Sequence, residues 1–130
     1  LERYGTPLGR AFQVRDDYLG VFGKKSSLGK PVGADLRAGK RTELVEAALE
    51  SASTSQRDLL LGVLGRADAS DESIASACQV IEETGAKGQS EALIDRLTGE
   101  SLAALEGSGF REEGLQFLIG IARLLAERDA

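Results

Sequence analysis

The sequence predicts an all-α protein. Apolar residues recur three or four positions apart along most of the chain, and no stretch alternates apolar and polar residues convincingly over the length of a strand. The chain is 42% hydrophobic but has only four Phe, two Tyr and no Trp, so a core must come mainly from aliphatic side chains. Its 130 residues suit one compact globular domain. We therefore expect about six helices.

The first predicted helix runs to Phe22, and its apolar residues are Leu1, Tyr4, Leu8, Ala11, Phe12, Leu19 and Phe22. Pro7 lacks a backbone donor, so we expect the helix to begin near Thr6 with the proline in its first turn. The following residues, 23–34, are rich in Gly, Ser and Lys and are predicted to form a loop.

The later helices are bounded by capping signals. Asp35 is placed as the N-cap of a helix through 36–49, which the serine-rich residues 53–55 interrupt. Asp71 and Gly85 are start and stop signals for the helices around them. Further helices are expected over residues 56–64, 71–84, 86–105 and 111–128.

Charge and composition exclude several functional classes. A net charge of −5 argues against a nucleic-acid partner, which is normally bound by clustered Lys and Arg. Cys78 is the single cysteine and there is no histidine, so neither an internal disulfide nor a Cys/His zinc site is expected. The sequence has no apolar run of about 20 residues and no signal-peptide pattern, so we predict a cytoplasmic protein without a membrane span.

Two adjacent carboxylates stand out on the first helix. Gln13, Asp16 and Gly20 lie along one helical face, with Asp17 about 100° further round. Hard oxygen ligands of this kind suit Mg²⁺, which keeps several waters and takes further ligands from substrate phosphates. The pair therefore predicts a Mg²⁺ site, although two neighbouring aspartates are also common on a solvated helix face.

Two lysines follow the acidic pair. Lys30 lies in a glycine-bounded loop, and Lys40 lies beyond a short turn, so both could bind a phosphate group if the loop folds back over the helix end. Lysines of this kind are also common in loops without a specific role. The loop is not a P-loop, because Gly-x₄-Gly-Lys-Ser/Thr is absent and no strand precedes it.

Taken together and in order, these residues resemble the second aspartate-rich region of the trans-isoprenyl diphosphate synthases, also called polyprenyl synthetases. The matching residues are Phe12-Gln13, Asp16-Asp17, Phe22-Gly23, Gly29-Lys30-Pro31, Asp35-Leu36 and Lys40-Arg41-Thr42. The similarity is densest between Gly5 and Leu44, and the later helices also fit the family. The resemblance implies part of the isoprenoid synthase helical bundle.

The resemblance also implies a reaction. In this family the diphosphate of an allylic substrate leaves while Mg²⁺ is held between two aspartate-rich motifs. Isopentenyl diphosphate attacks the allylic cation, and loss of a proton completes the extension. Carried across by position, Asp16 is the leading Mg²⁺ ligand and Asp17 an outer or alternate ligand, with Lys30 as the third catalytic residue. Lys30 and Lys40 would contact the diphosphate, and Gln13 would be a neighbouring polar contact.

The chain departs from the family pattern at position 20, where the second motif normally ends in aspartate and this sequence has glycine. Glycine also costs a helix about 1 kcal/mol relative to alanine. We interpret the change as the Asp-Asp-x-x-Gly variant of bacterial geranylgeranyl-type enzymes. A further departure is Lys24-Lys25, where an acidic or amide residue often follows Phe-Gly.

The family's first aspartate-rich motif is not present in this chain. Because that motif belongs to the N-terminal half of the enzyme, residues 1–130 are expected to be the C-terminal half of one synthase domain and inactive alone. Product length depends on residues beside the first motif, so this sequence does not indicate it. The chain begins at Leu1 and has no methionine, which we interpret as the result of a cut from a longer polypeptide.

Family members are usually homodimers, so a second copy is the expected partner, besides the allylic and isopentenyl diphosphates. Two other functions stay open. The glycine at position 20 supports a non-catalytic subunit that regulates an active synthase. A plain helical interaction module would be preferred only if the region around Asp16 were buried in salt bridges.

Overall fold

The computed structural model describes residues 2–23, 32–106, 109 and 111–126. Within these ranges the chain is helical and contains no strand, which confirms the predicted fold class. The described helices number seven, one more than the six expected. They are α1 (Glu2–Phe22), α2 (Ala34–Ala38), α3 (Glu43–Ser51), α4 (Thr54–Val63), α5 (Asp71–Glu83), α6 (Ala86–Ala103) and α7 (Glu112–Ala126).

The helices form two compact units. Among the described residues, the first unit contains residues 2–15 and those from 91 to 126, and the second contains 16–90. None of the helices in the ranges described is long and apolar enough to cross a membrane.

The predicted start of the first helix is wrong, because α1 begins at Glu2 and Pro7 lies inside it. A proline in a helix interior costs about 3 kcal/mol or more, so the first turn needs stabilising contacts elsewhere. Tyr4 provides them within the first unit. Its hydroxyl donates to the carbonyl of Leu118 at 2.7 Å, and its own carbonyl accepts from the Ser101 hydroxyl at 2.6 Å. Tertiary contacts therefore stabilise the turn of α1 that precedes Pro7.

Two apolar clusters make up the core of the first unit. In one, the buried residues Tyr4, Leu8, Leu105 and Ala122 are surrounded by partly buried residues that lie mostly on α7. The other contains Ala11, Val14, Ile94 and Leu97.

The single helix expected over residues 36–49 is in fact two helices. Gly39 ends α2 with a left-handed φ of 74°, and its backbone N–H donates to the carbonyl of Leu36 at 3.1 Å. Thr42 then begins α3, because its side chain accepts from the N–H of Val45 at 3.3 Å. Glycine adopts this backbone angle without the steric cost that a Cβ would add, which explains the break.

Asp35 is not an N-cap, which corrects a second expectation. The N-cap position of α2 is Gly33, which has a φ of 75°, and Asp35 lies inside the first turn with only 6% of its surface exposed. A Cβ at Gly33 would also overlap the side chain of Ile74. The chain therefore makes a tight turn at Gly33, where glycine is required, and Asp35 follows in the first turn of α2.

The start of α4 follows the capping rules. Ser53 accepts from the N–H of Gln56 at 3.2 Å, and the Gln56 side chain accepts from the N–H of Ser53 at 2.9 Å. This reciprocal pair satisfies two of the donors that a helix start leaves free. The helix break predicted at residues 53–55 is therefore found at Ser53, which is the N-cap of α4.

One apolar cluster forms the core of the second unit. It combines Val21 and Leu36 with inward-facing residues of α3, α4 and α5, namely Leu44, Val45, Ala48, Leu49, Leu60, Val63, Ile74, Ala77, Val80 and Ile81. Val21, Leu36 and Leu60 are fully buried. The ends of α1 and α2 are thus held by the same core.

Replacement of Leu60 by alanine should destabilise the protein strongly. The side chain is fully buried, so its loss leaves a cavity, and we expect the free energy of unfolding to fall by about 2–5 kcal/mol. Leu61, the next residue on α4, is 41% exposed and supplies the matched control. Urea unfolding followed by circular dichroism should show a much smaller loss for Leu61→Ala. Equal losses would contradict the assignment of the core.

Cys78 packs against this core and is partly buried. Its thiol donates weakly to the carbonyl of Val21 at a sulfur–oxygen distance of 3.6 Å. Burial raises the pKa of the Cys78 thiol; the charge of Lys87 lowers it and that of Glu82 raises it further. The thiolate is the reactive form of cysteine, and a raised pKa keeps the Cys78 thiol protonated at neutral pH. We therefore interpret Cys78 as a residue that packs against the core.

The pKa of Cys78 has a consequence for stability at alkaline pH. Because the pKa is raised on folding, the folded chain holds the thiol proton more tightly than the unfolded chain does. The resulting stabilisation is complete below the unfolded thiol pKa of about 8.5 and is lost as pH rises through the folded pKa. Urea midpoints measured from pH 7 to 10 should fall less steeply for Cys78→Ala. Identical slopes in the two proteins would contradict this prediction.

Candidate functional site

The acidic pair lies near the C-terminal end of α1, in the second unit. Asp16 is exposed and Asp17 is half-buried, while Leu19 and Val21 on the same helix are turned into the protein and almost fully buried. The apolar residues that anchor this part of the helix therefore leave Asp16 accessible to solvent. An exposed carboxylate on a fixed helix can bind a cation from solution.

Gln13, the predicted polar neighbour, is exposed and lies on α1 three residues before Asp16. It belongs to the part of the helix that is in the first unit. Its proposed role as a substrate contact stays a prediction.

The space into which a side chain at position 20 would extend is occupied by the side chain of another residue. Gly20 is buried, and a Cβ added there would lie 3.0 Å from Oδ1 of Asp35 and still closer to Oδ2 and Cγ. The carboxylate of Asp35 thus occupies the space of the missing side chain at position 20. The sequence places Asp35 in the family-matching Asp35-Leu36 pair and predicts that it caps a helix, but it does not predict the contact with Gly20. The contact joins two helices, and the periodicity of one helix does not indicate contacts with another.

Lys40, a predicted diphosphate contact, is held by the same carboxylate. Its Nζ lies 3.6 Å from Oδ1 of Asp35, and its backbone N–H donates to the carbonyl of Asp35 at 3.0 Å. The Lys40 side chain is still 63% exposed, so the ammonium group remains accessible to an anion. The structure therefore brings Lys40 together with Asp35.

The guanidinium group of Arg37 holds α2 in place. It donates to the carbonyl of Val32 at 2.8 Å and to that of Ala69 at 3.2 and 3.3 Å. It also pairs with Asp71 at 3.0 Å. These contacts link α2 and the turn before it, at Val32, to Ala69 and Asp71 at the start of α5.

The backbone provides a second anchor for α2. The N–H of Gly65 donates to the carbonyl of Leu36 at 2.9 Å, and a Cβ on Gly39 would lie 3.1 Å from the Cα of Gly65. Two glycines thus allow close backbone packing next to the site. Together with the burial of Leu36, this contact fixes the position of Asp35.

The predicted role of Lys30 lies outside the described residues, together with the flanking Gly29 and Pro31 and the Lys24-Lys25 pair. The expectation that Lys30 binds a diphosphate and is catalytic therefore stays a prediction.

The residues present fit a one-sided Mg²⁺ site. Within the portion of the chain that the structure describes, no three acidic or other ligating side chains gather closely enough to hold a metal ion by themselves. Mg²⁺ is commonly bound by one or two carboxylates with waters and substrate phosphates as the other ligands. Asp16 and Asp17 match that donor set, so any ion at this position would need ligands from outside the described residues.

Known proteins show the same sequence pattern. The family model described as polyprenyl synthetase matches residues 1–81. A short chain isoprenyl diphosphate synthase from Methanothermobacter thermautotrophicus is 42% identical over 132 residues, which cover 99% of this chain and 39% of the relative. A (2E,6E)-farnesyl diphosphate synthase from Mycobacterium tuberculosis is 30% identical over 133 residues, which cover 100% of this chain and 37% of the relative.

A solved structure shows the same fold. It is a geranylgeranyl pyrophosphate synthase from Corynebacterium glutamicum complexed with isoprenyl diphosphate and magnesium, and it matches with a TM-score of 0.92 at 39% identity. The match covers 98% of this chain and 36% of that one. The chain thus spans 39% or less of the length of these relatives. Because the family model covers more than half of the sequence and the likeness extends to the whole helical fold, the chain belongs to the polyprenyl synthetase family.

Proposed function

We propose that this chain is part of a prenyltransferase that condenses isopentenyl diphosphate with an allylic diphosphate to give a longer isoprenyl diphosphate. Membership of a family whose matched relatives are isoprenyl diphosphate synthases supports the activity. The observation that carries the proposal for these residues is the exposed Asp16 beside Asp17 at the end of a well-anchored helix.

Asp16 and Asp17 would hold Mg²⁺, and Asp16 is the better placed of the two because it is exposed. When bound, the ion supplies positive charge that stabilises the departing diphosphate. The chain's own contribution is to present these carboxylates on a helix that core packing holds in place. Lys40 adds an accessible ammonium group, which the Asp35 carboxylate orients.

The chain would supply one side of the active site. It spans at most 39% of each relative described above, which supports its assignment as the C-terminal half of a single synthase domain. A first aspartate-rich motif from the N-terminal half would then face Asp16, and this chain alone would be inactive. A homodimer and a cytoplasmic location complete the proposal, and both rest on the family.

A non-catalytic regulatory subunit is the second candidate, and the glycine at position 20 is the observation that favours it. A plain interaction module was to be preferred only if the region around Asp16 were buried in salt bridges, and Asp16 is exposed. The enzyme is therefore the function that the geometry supports best.

Replacement of Asp16 by asparagine in the full-length protein should lower the rate of condensation by about a hundredfold or more. The change keeps the side-chain size but removes the charge that would hold Mg²⁺, and metal stabilisation of a transition state is worth several kcal/mol. The measurement is the transfer of radiolabelled isopentenyl diphosphate to an allylic diphosphate, with and without Mg²⁺.

Asp58→Asn is the matched control, because Asp58 is an exposed aspartate on α4 within the same unit. We expect this variant to keep the rate of the parent protein. A parent protein that shows no condensation with Mg²⁺ would contradict the proposed enzyme. A rate that Asp16→Asn leaves unchanged would contradict the assignment of Asp16.

A further inference from the structure

The ammonium group of Lys40 lies beside the acidic end of α1. Its Nζ is 3.6 Å from Oδ1 of Asp35, and the Asp35 carboxylate lies against Gly20, one helical turn after Asp16. A lysine side chain is a flexible stem, and that of Lys40 is 63% exposed, so a single ion pair contributes little to holding it. The position of the ammonium group therefore depends on where the backbone of Lys40 is fixed.

The backbone of Lys40 follows the turn that ends α2. Its N–H donates to the carbonyl of Asp35 at 3.0 Å, and the preceding Gly39 has a left-handed φ of 74° and donates to the carbonyl of Leu36 at 3.1 Å. These bonds are all local, and a helix of five residues does not hold such a turn by itself. A contact from elsewhere in the chain is needed to fix it.

Gly65 supplies this contact from the end of α4. Its N–H donates at 2.9 Å to the same Leu36 carbonyl that accepts from Gly39. A Cβ added to Gly39 would lie 3.1 Å from the Cα of Gly65 and 3.4 Å from its nitrogen, so the two backbones approach too closely for a side chain between them. Gly65 is twenty-five positions after Lys40 and is not one of the motif residues in the sequence.

Gly65 is itself held by the core of the second unit. The residue before it, Leu64, donates through its N–H to the carbonyl of Leu60 at 3.0 Å, and Leu60 is fully buried. Gly65 has a left-handed φ of 79°, a backbone angle that β-branched residues strongly disfavour. A branched side chain at position 65 would therefore rotate the backbone and turn its N–H away from Leu36.

We propose that Gly65 is a positioning residue that fixes the turn before Lys40 and so holds the Lys40 ammonium group where it binds the diphosphate of a substrate. Gly65 acts through Lys40 and needs no contact with the substrate. This positioning role rests on the proposed function, because Lys40 is assigned to the diphosphate there. The link between Gly65 and Lys40 rests on the packing alone.

The link is tested by a double-mutant cycle on the full-length protein, with inorganic pyrophosphate and Mg²⁺ as the probe. Lys40→Ala should weaken pyrophosphate binding about tenfold or more, because it removes a charged hydrogen-bond donor. Gly65→Val should weaken binding about fivefold when Lys40 is present and less than about twofold in the Lys40→Ala background, where no ammonium group is left to misplace. Isothermal titration calorimetry measures the dissociation constants.

Two further variants separate positioning from a loss of stability. Gly85→Val places the same side chain at another left-handed glycine of the second unit, which has a φ of 88° and no atom within 4 Å of an added Cβ. It should lower the midpoint of thermal unfolding but keep the parent affinity for pyrophosphate. Gly65→Asn should keep most of the affinity, because asparagine adopts the left-handed region more readily than other non-glycine residues and an added Cβ would lie 4.0 Å from the Cα of Gly39.

Three results would overturn the positioning role. They are an unchanged affinity in Gly65→Val, an equal loss of affinity in both backgrounds, and an equal loss in Gly85→Val. If Gly65→Val does not fold, Gly65→Ala takes its place in the cycle, since its unbranched side chain strains the same backbone angle less.

Condensation assays on the same proteins separate this role from the proposed function. A parent protein that binds pyrophosphate with Mg²⁺ but does not condense the substrates would remove the proposed enzyme, and the binding cycle would still decide the link between Gly65 and Lys40. A parent protein that condenses them, with an affinity that Gly65→Val leaves unchanged, would keep the enzyme assignment and lose the positioning role. A parent protein that neither binds nor condenses would overturn both.

Discussion

The Asp35 carboxylate lies against the backbone of α1 at Gly20, and this approach determines how the first two helices of the second unit meet. A carboxylate can be buried at a helix surface only where no side chain blocks it and where its charge is compensated. Glycine provides the space, and Lys40 provides the opposite charge. The Asp35 carboxylate therefore packs against α1 at the position where Gly20 has no side chain.

The remaining contacts of α2 serve this arrangement. Its short length follows from the two left-handed glycines, Gly33 and Gly39, which bound it. A helix of five residues is not stable by itself, so tertiary contacts must hold it. Arg37 and the backbone bond from Gly65 to Leu36 provide these contacts. The position of the carboxylate thus depends on α4 and α5 as well as on α2.

The amphipathic pattern explains why Asp16 and Asp35 have different environments. Asp16 lies on a face of α1 that the core leaves open, whereas Leu19 and Val21 are buried. Asp35 stands beside the fully buried Leu36 and is covered as α2 docks. One carboxylate is therefore open to solvent, and the other is covered and paired with a lysine. Both environments follow from the packing of neighbouring apolar residues.

The sequence by itself determined the all-α class, the family and the acidic pair on α1, because these depend on local periodicity and on residue types at short spacing. It also predicted four later helices close to their observed bounds, since caps such as Ser53 act within a single turn. It misplaced the start of α1, because the contacts that hold Tyr4 come from residues near the other end of the chain.

Only the tertiary structure shows which side chain lies against Gly20. The sequence predicted a missing aspartate at position 20, and it predicted Asp35 both as a helix cap and as part of the family-matching Asp35-Leu36 pair. The folded chain joins the two across fifteen positions, with the Asp35 carboxylate against the backbone of Gly20. Helical periodicity describes which residues share a face of one helix, but it contains no information on which side chain from another helix will fill an empty position.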